Sequence, residues 1–290
     1  MTIIVTGAQG FIATALIKLL NARSAHGSEQ VISLSRQDFD LPDAELHERC
    51  KGATTLIHIA GRAHKPNDPK GAEPLYQNEN VLLTRRMLHM AQHTGIGHFI
   101  YLSSISVNGS QTHGKAFTED DTPNPQTPYA RSKMQAEKHI VDYCSEHHID
   151  WTVIRSPMVY GENARGNIGL LQQLIRTGMP LPFGSIRNKR SFISIENLCD
   201  LIAHCIHSTN ARNQLYLACD GIDRSTRDLV RILAKQENRR VFLLPIPVCF
   251  LQFIAYITGL RKRVAPVWMD LQINPHKIFT QLGWRPKDVQ

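Results

Sequence analysis

Five short apolar runs rich in β-branched residues, separated by segments of helical spacing, constrain this chain more than any other feature. The runs are "TIIVTG", "QVISLSR", "TTLIHIAG", "HFIYLSS" and "DWTVIRS". Between and after them stand "FIATALIKLLNAR", "NVLLTRRMLHMAQHTG" and "PYARSKMQAEKHIVDYCSEHH". Strands that are apolar along their length belong in sheets covered on both faces, and parallel strands need helical crossovers between them. The alternation therefore predicts an α/β fold, a Rossmann-like doubly wound parallel sheet. After "VIRSPMVYG" the rhythm breaks in "GENARGNIG" and "GMPLPFGSIRNKR". "SFISIENLCDLIAHCIH" and "NQLYLAC" then read as a helix and a strand that rejoin the sheet. A smaller, mixed α/β region is expected toward the C-terminus.

The first run leads into "TGAQGFIATAL". Gly7 permits a tight turn after a buried strand, and Gly10 lets a pyrophosphate approach the backbone at a helix N-terminus. Ala13 occupies a position where a third glycine is common, and one methyl is tolerated there. This loop predicts a dinucleotide site. Residues 1–162 and 191–219 are accordingly assigned to the dinucleotide-binding domain, and 163–190 and 220–290 to a substrate-binding region that caps the crevice. At the end of the second run an acid would hold ribose hydroxyls, but "VISLSRQ" offers Ser35 and Arg36 instead. A guanidinium suits a phosphate, so NADP(H) is favoured and NAD(H) is the alternative.

Three further residues form a set with that loop. Tyr129 and Lys133 of "YARSK" stand four apart, hence on one helical face. Thr127 and Pro128 make an N-cap and first-turn pair for that helix. Tyrosine normally titrates near ~10, and a neighbouring ammonium favours the phenolate. Ser104 follows the run "HFIYLS", where its hydroxyl can bond the same substrate oxygen. These residue types support proton exchange at a hydroxyl or carbonyl beside a bound coenzyme.

Charge is uneven along the chain. Residues 1–160 hold 15 Lys and Arg against 16 Asp and Glu, whereas residues 161–290 hold 18 against 9. A basic second half suits an anionic substrate. The basic residues lack aromatic interleaving or a nucleic-acid motif, so no nucleic-acid partner is expected. Six cysteines lack metal or redox spacing, which fits a reducing cytoplasm. His89 and His93 share a helical face without an evident third ligand, so no metal is expected. The acidic run Glu119–Asp120–Asp121 reads as the start of a loop. "VFLLPIPVCFLQFIAYITGL", residues 241–260, approaches bilayer-crossing length, but Pro245 and Pro247 break its first half. It reads as a strand turning through "PIP" into an amphipathic helix, with no spanning segment; peripheral membrane contact is the alternative.

With "TGAQGFIA", "LIHIAG", "NENV", "YLSSISVNG", "EDDTPNPQTPYARSK", "IRSPMVYG", "RSFISIENL" and "INPHKIFTQLGWRP" in place, the chain resembles the extended short-chain dehydrogenase/reductase family of nucleotide-sugar enzymes. The resemblance runs from Ile3 to about Lys287. It implies a catalytic triad of Ser104, Tyr129 and Lys133. Cofactor contacts are implied for Gln9, Phe11 and Ile12 of the loop, for Asp40 and Leu41, and for Ile59, Ala60 and Gly61. Asn80, Leu102, Pro157, Met158 and Val159 complete that set, the last three near the nicotinamide. Substrate contacts are implied for Ser104, Ser106, Asn108, Asn167 and Arg190. Dehydratases of the family place an Asp-Glu pair where this chain has Ile105 and Ser106, so dehydration is not expected. "SSISVNG" and "NKRSF" look most like reductases of UDP-4-keto-6-deoxy-N-acetylhexosamines that serve surface polysaccharide synthesis. A 4-epimerase retaining NAD is the runner-up, and a non-catalytic NADP-sensing module the third reading. A homodimer through the helices bearing "NVLLTRRML" and "YARSK" is common in the family.

Overall fold

The computed structural model describes residues 1–24, 29–63 and 71–287. Along the chain run β1 (Thr2–Thr6), α1 (Phe11–Ser24), β2 (Gln30–Leu34), α2 (Asp43–Cys50), β3 (Thr55–His58), α3 (Glu73–Tyr76) and α4 (Leu83–Thr94). Then come β4 (His98–Ser104), α5 (Pro128–Glu146), β5 (Asp150–Ser156), β6 (Met158–Tyr160) and α6 (Gly166–Arg176). The remainder holds β7 (Phe192–Ser194), α7 (Ile195–His207), β8 (Gln214–Leu217), α8 (Thr226–Gln236), α9 (Val248–Ile257) and α10 (Arg261–Val264).

The five apolar runs, with the rejoining strand of "NQLYLAC", form one parallel sheet in the order β2-β1-β3-β4-β5-β8. One face is covered by α1 and α7, joined by Ile278, Leu282 and Trp284 of the tail. The other face carries α2, α4 and α5. This is the doubly wound architecture that the alternation requires. Ala13 answers for its missing glycine here: it is fully buried, packed in the same cluster as Val5 of β1 and Leu198 of α7, so its methyl is part of the core.

The C-terminal region differs from expectation in two places. "SFISIENLCDLIAHCIH" is not all helix, because Phe192–Ser194 pair with Met158–Tyr160 in a separate two-stranded sheet. Ser194 ends that strand and caps α7, accepting the Asn197 N–H at 3.1 Å. The small sheet packs with α6 and α8 through Tyr160, Ile168, Phe192 and Leu229. The second difference concerns residues 241–260. A helix does follow Pro247, but α9 has no buried stripe, and only Ala255 along it is buried. Among the described residues no helix is long and apolar enough to cross a membrane.

Two histidines lie deep in the sheet. The Thr6 hydroxyl oxygen accepts the Ile59 and Ala60 N–H groups, each at 3.0 Å, and stands 2.9 Å from His58 Nδ1. His58 Nε2 lies 3.0 Å from the Thr84 hydroxyl, which itself donates to the Asn80 carbonyl. Both hydroxyls are thereby oriented: Thr6 donates to Nδ1, and Nε2–H donates to Thr84. The ring is neutral, and burial pushes its pKa down to about 3, with the Lys133 charge acting in the same direction. His98 Nε2 meets Thr152 at 2.8 Å, and burial likewise lowers His98 to about 3. An unfolded histidine titrates near ~6.5, so the unfolded chain binds more protons between about pH 3 and 6.5. Stability therefore falls as pH drops through that window, by at most roughly 3 kcal/mol per pH unit when both rings contribute. Urea unfolding at pH 6.5 and pH 5 checks this; a stability unchanged between the two would show that the rings are not held neutral.

Candidate active site

β1 and β3 are sheet neighbours, while the chain between them visits β2 on the opposite side. Loops leaving such neighbours diverge and open a crevice at the carboxyl ends of the strands. That crevice, about 440 Å³, is lined by Gly7, Gln9, Gly10, Arg36, Asp40, Ile59, Ala60 and Gly61, with Glu79 and Arg165. Its floor depends on glycine. A Cβ on Gly7 would come within 3.1 Å of Ala60 backbone atoms, and Gly7 has φ +78°. A Cβ on Gly61 would meet the Asn80 amide oxygen at 2.6 Å. The N-terminus of α1 opens beside this floor, where backbone N–H groups suit phosphate oxygens. Floor, helix end and the cations Arg36 and Arg165 fit a dinucleotide.

The catalytic candidates lie at neighbouring strand ends. Ser104 closes β4 opposite Ser156 of β5. Thr127 caps α5 by accepting the Ala130 N–H at 3.1 Å, and Pro128 occupies the first turn. This places Tyr129, Lys133 and Glu137 on successive turns of one face. Ser106 donates its hydroxyl to the Ser104 oxygen at 2.9 Å, which leaves the Ser104 hydrogen for Tyr129, its hydrogen-bond partner. Desolvation raises the Tyr129 phenol to about 12 against the lowering effect of Ser104. This corrects the expectation of a lowered value. Lys133 instead donates to the Leu102 carbonyl at 2.9 Å and lies 4.5 Å from the centre of the Tyr101 ring. Burial lowers Lys133 to about 8, opposed by Glu137.

Several expected contact residues spend their polar groups on the protein. Ser35 donates both N–H and O–H to Asp38, at 2.6 and 2.7 Å, and Asp38 is also paired with Arg49. An acid is thus present after β2, but it faces inward and leaves Arg36 at the crevice. Asn80 is 1% exposed; its oxygen accepts the Arg62 N–H at 2.7 Å and its nitrogen donates to Ser132 at 2.8 Å. It ties the Gly61 turn to α5 from behind the wall. Asn108 accepts from Arg155 at 2.8 Å and donates to the Thr118 carbonyl. Arg190 is buried and donates to the carbonyls of Pro266 and Met269, each at 3.0 Å. For Asn80, Asn108 and Arg190 the cause is the same, a buried polar group taking the nearest protein partner, while half-buried Ser35 turns to the buried Asp38.

The remaining candidates are variously placed. Phe11 and Ile12 begin α1, partly exposed, and Asp40 stands exposed on the crevice. The Leu41 carbonyl accepts Arg86 at 2.5 Å. Pro157 is buried, Met158 and Val159 are half-buried, and Asn167 is exposed in the first turn of α6. Away from the crevice, His89 meets the Tyr143 hydroxyl at 3.1 Å and Asp121 accepts the Thr118 N–H at 2.7 Å. Sequence reasoning missed Arg165, which donates to the Gln9 carbonyl at 3.1 Å over the phosphate loop. It also missed Tyr76, whose ring lies edge-on to Tyr129 with centroids 6.0 Å apart. Neither belongs to a recognisable spacing, and only the fold brings them in.

A crevice of this kind, with Ser104 at the end of β4 and Tyr129 in the first turn of α5 beside it, is the arrangement of enzymes that work through a nicotinamide dinucleotide. Comparison narrows the class: the chain belongs to the NAD dependent epimerase/dehydratase family, whose sequence model matches residues 3–218. It is 35% identical over 298 residues to a UDP-glucose 4-epimerase of Vibrio cholerae, covering 98% of this chain and 90% of that one. Its fold is similar to the UDP-glucuronic acid 4-epimerase of Bacillus cereus in complex with NAD, with a TM-score of 0.74 at 20% identity, covering 100% and 94% of the two chains. RMD from Pseudomonas aeruginosa complexed with NADPH superposes with a TM-score of 0.76 at 19% identity over 100% and 95%.

Proposed function

We propose that this chain is a cytoplasmic NADP(H)-dependent 4-ketoreductase acting on a nucleotide-activated sugar of the UDP-4-keto-6-deoxy-N-acetylhexosamine type, for surface polysaccharide synthesis. The observation that carries the reading is the Ser104–Tyr129 hydroxyl pair, with the phenol held protonated by its surroundings. Reduction of a ketone needs a proton donor at the carbonyl oxygen, and a protonated phenol supplies one. When bound, the dinucleotide supplies the hydride. Tyr129 gives its proton to the forming alkoxide, and Ser104 donates a hydrogen bond to the same oxygen. Lys133 exchanges its Leu102 partner for the nicotinamide ribose, and its charge stabilises the phenolate left behind. Gly7, Gly10 and the first turn of α1 hold the pyrophosphate, with Arg165 beside it. Ile105 is buried and Ser106 is bonded to Ser104, so neither supplies the carboxylate that dehydration would need. Residues 163–190 and 220–290 bind the sugar nucleotide in this reading.

The preference for NADP(H) rests on Arg36, whose side chain is 82% exposed and 3.9 Å from Glu79. A 2′-phosphate would replace that weak contact with a bidentate one. Arg36→Ala is expected to raise the KM for NADPH about tenfold or more and leave that for NADH within about twofold. Equal effects on both would remove the reason for favouring NADP(H). A second reading, a 4-epimerase with retained NAD, is favoured by the Vibrio cholerae relative and by Asp40 and Glu79 in the crevice, which suit ribose hydroxyls. Incubation with UDP-4-keto-6-deoxy-N-acetylglucosamine and NADPH separates the two. Stoichiometric NADPH consumption supports the reductase; tightly held NAD and C4 interconversion of a UDP-sugar without net redox change supports the epimerase.

A further inference from the structure

Helix α9 is out of keeping with a helix at the surface of a soluble fold. Its sequence, "VCFLQFIAYI", contains one strongly polar side chain, Gln252, and it buries only Ala255. Phe250, Phe253 and Ile257 are 53%, 60% and 63% exposed, and Tyr256 is exposed too. The approach to the helix adds exposed Phe242 and Leu244, and its exit adds Leu260. Such a helix is usually a core element or a membrane span. This one is neither. Its ten residues reach only about 15 Å, half the ~30 Å of a bilayer's hydrocarbon. The length suits a helix lying in the plane of a membrane interface.

The charge around it narrows the occupant. From Asn238 to Met269 the sequence carries Arg239, Arg240, Arg261, Lys262 and Arg263 and no Asp or Glu. Arg239, Arg240 and Arg261 are exposed at either end of the apolar stretch. An apolar face framed by cations alone complements anionic lipid headgroups over acyl chains. A second copy fits poorly, because a two-fold interface would set this face against itself and its cations would find no acidic partner within it. The segment is also firmly placed. Ahead of the helix the Leu181 N–H donates to the Phe242 carbonyl at 2.8 Å and the Leu244 N–H to the Leu181 carbonyl at 2.9 Å, and beyond it the carbonyls of Pro266 and Met269 hold Arg190.

We propose that α9 and its basic flanks dock the protein on an anionic phospholipid surface, with the helix lying in the interface and not spanning it. The surface is separate from the catalytic residues, so the inference stands whichever sugar reaction the crevice performs. Co-sedimentation of the full chain with phosphatidylglycerol/phosphatidylethanolamine vesicles, against pure phosphatidylcholine vesicles, tests it. Binding to the anionic vesicles should be at least about tenfold tighter, and should weaken in roughly 0.5 M NaCl, where charge is screened within ~4 Å. Phe250→Ser/Phe253→Ser should lose about tenfold or more of that binding while keeping the wild-type circular dichroism, since both rings are exposed. Arg239→Gln/Arg240→Gln should weaken it several-fold. No binding, equal binding to both vesicle types, or binding untouched by the Phe pair would overturn the proposal. So would concentration-dependent self-association abolished by the Phe pair, which would assign the face to a second copy.

Discussion

Tyr129→Phe should lower kcat on the order of 10³-fold while leaving dinucleotide affinity within about twofold. The substitution removes one oxygen from a residue whose ring stays packed edge-on against Tyr76. It deletes the phenol that is hydrogen-bonded to Ser104 and passes a proton to substrate in the proposed reaction. A loss confined to kcat separates an acid role from a positioning one, because positioning would also move KM. Tryptophan-quenching or calorimetric titration with NADPH reports the binding half, and pre-steady-state turnover the other. Near-normal turnover by the variant would remove Tyr129 from the chemistry.

The second large effect concerns stability. Arg155 of β5 and Glu137 of α5 form an ion pair that is 5% and 7% exposed at the side chains, with a shortest contact of 2.6 Å. Ser103 donates to the same carboxylate, and Arg155 extends to the Asn108 amide oxygen at 2.8 Å. Removing one partner of a buried pair leaves the other charge desolvated and unpaired, at a cost of about 3–5 kcal/mol. Glu137→Ala should therefore lower the urea unfolding free energy by that amount. Replacing both, as Glu137→Met with Arg155→Leu, should recover most of it, because well-packed apolar groups substitute for a buried pair at little cost. A single-variant loss below about 1 kcal/mol would mean that the pair is solvated. The same pair borders the proposed catalytic residues: Glu137 lies one turn beyond Lys133 and opposes the fall in its pKa.

What the sequence made legible was whatever depends on local spacing. The strand runs are apolar along their length because both faces of the sheet are covered, so strand positions and parallel topology followed from pattern alone. Tyr129 and Lys133 share a helical face by arithmetic, and Thr127–Pro128 marks the start of that helix. The rest needed tertiary partners. Ser35, Asn80, Asn108 and Arg190 are residue types that can bind ligands, but each lies within reach of a buried protein group and turns to it. Arg165 reaches the loop carbonyl of Gln9 across 156 positions in the chain. Tyr129 was expected to be acidified by Lys133, but the ammonium is bonded to the Leu102 carbonyl and desolvation dominates the phenol. In α9 the apolar spacing promised a buried stripe, and among the described residues the fold buries only Ala255 along it.

The central claim is that hydride and proton meet at C4 of a sugar held against Ser104 and Tyr129. Turnover of the UDP-4-keto-sugar with NADPH deuterated at the nicotinamide C4, followed by NMR of the product, tests it directly. Deuterium at the sugar C4, one per cofactor oxidised and absent with Tyr129→Phe, is the predicted result. Oxidation of the cofactor with no label in the sugar, or label at another carbon, would contradict it.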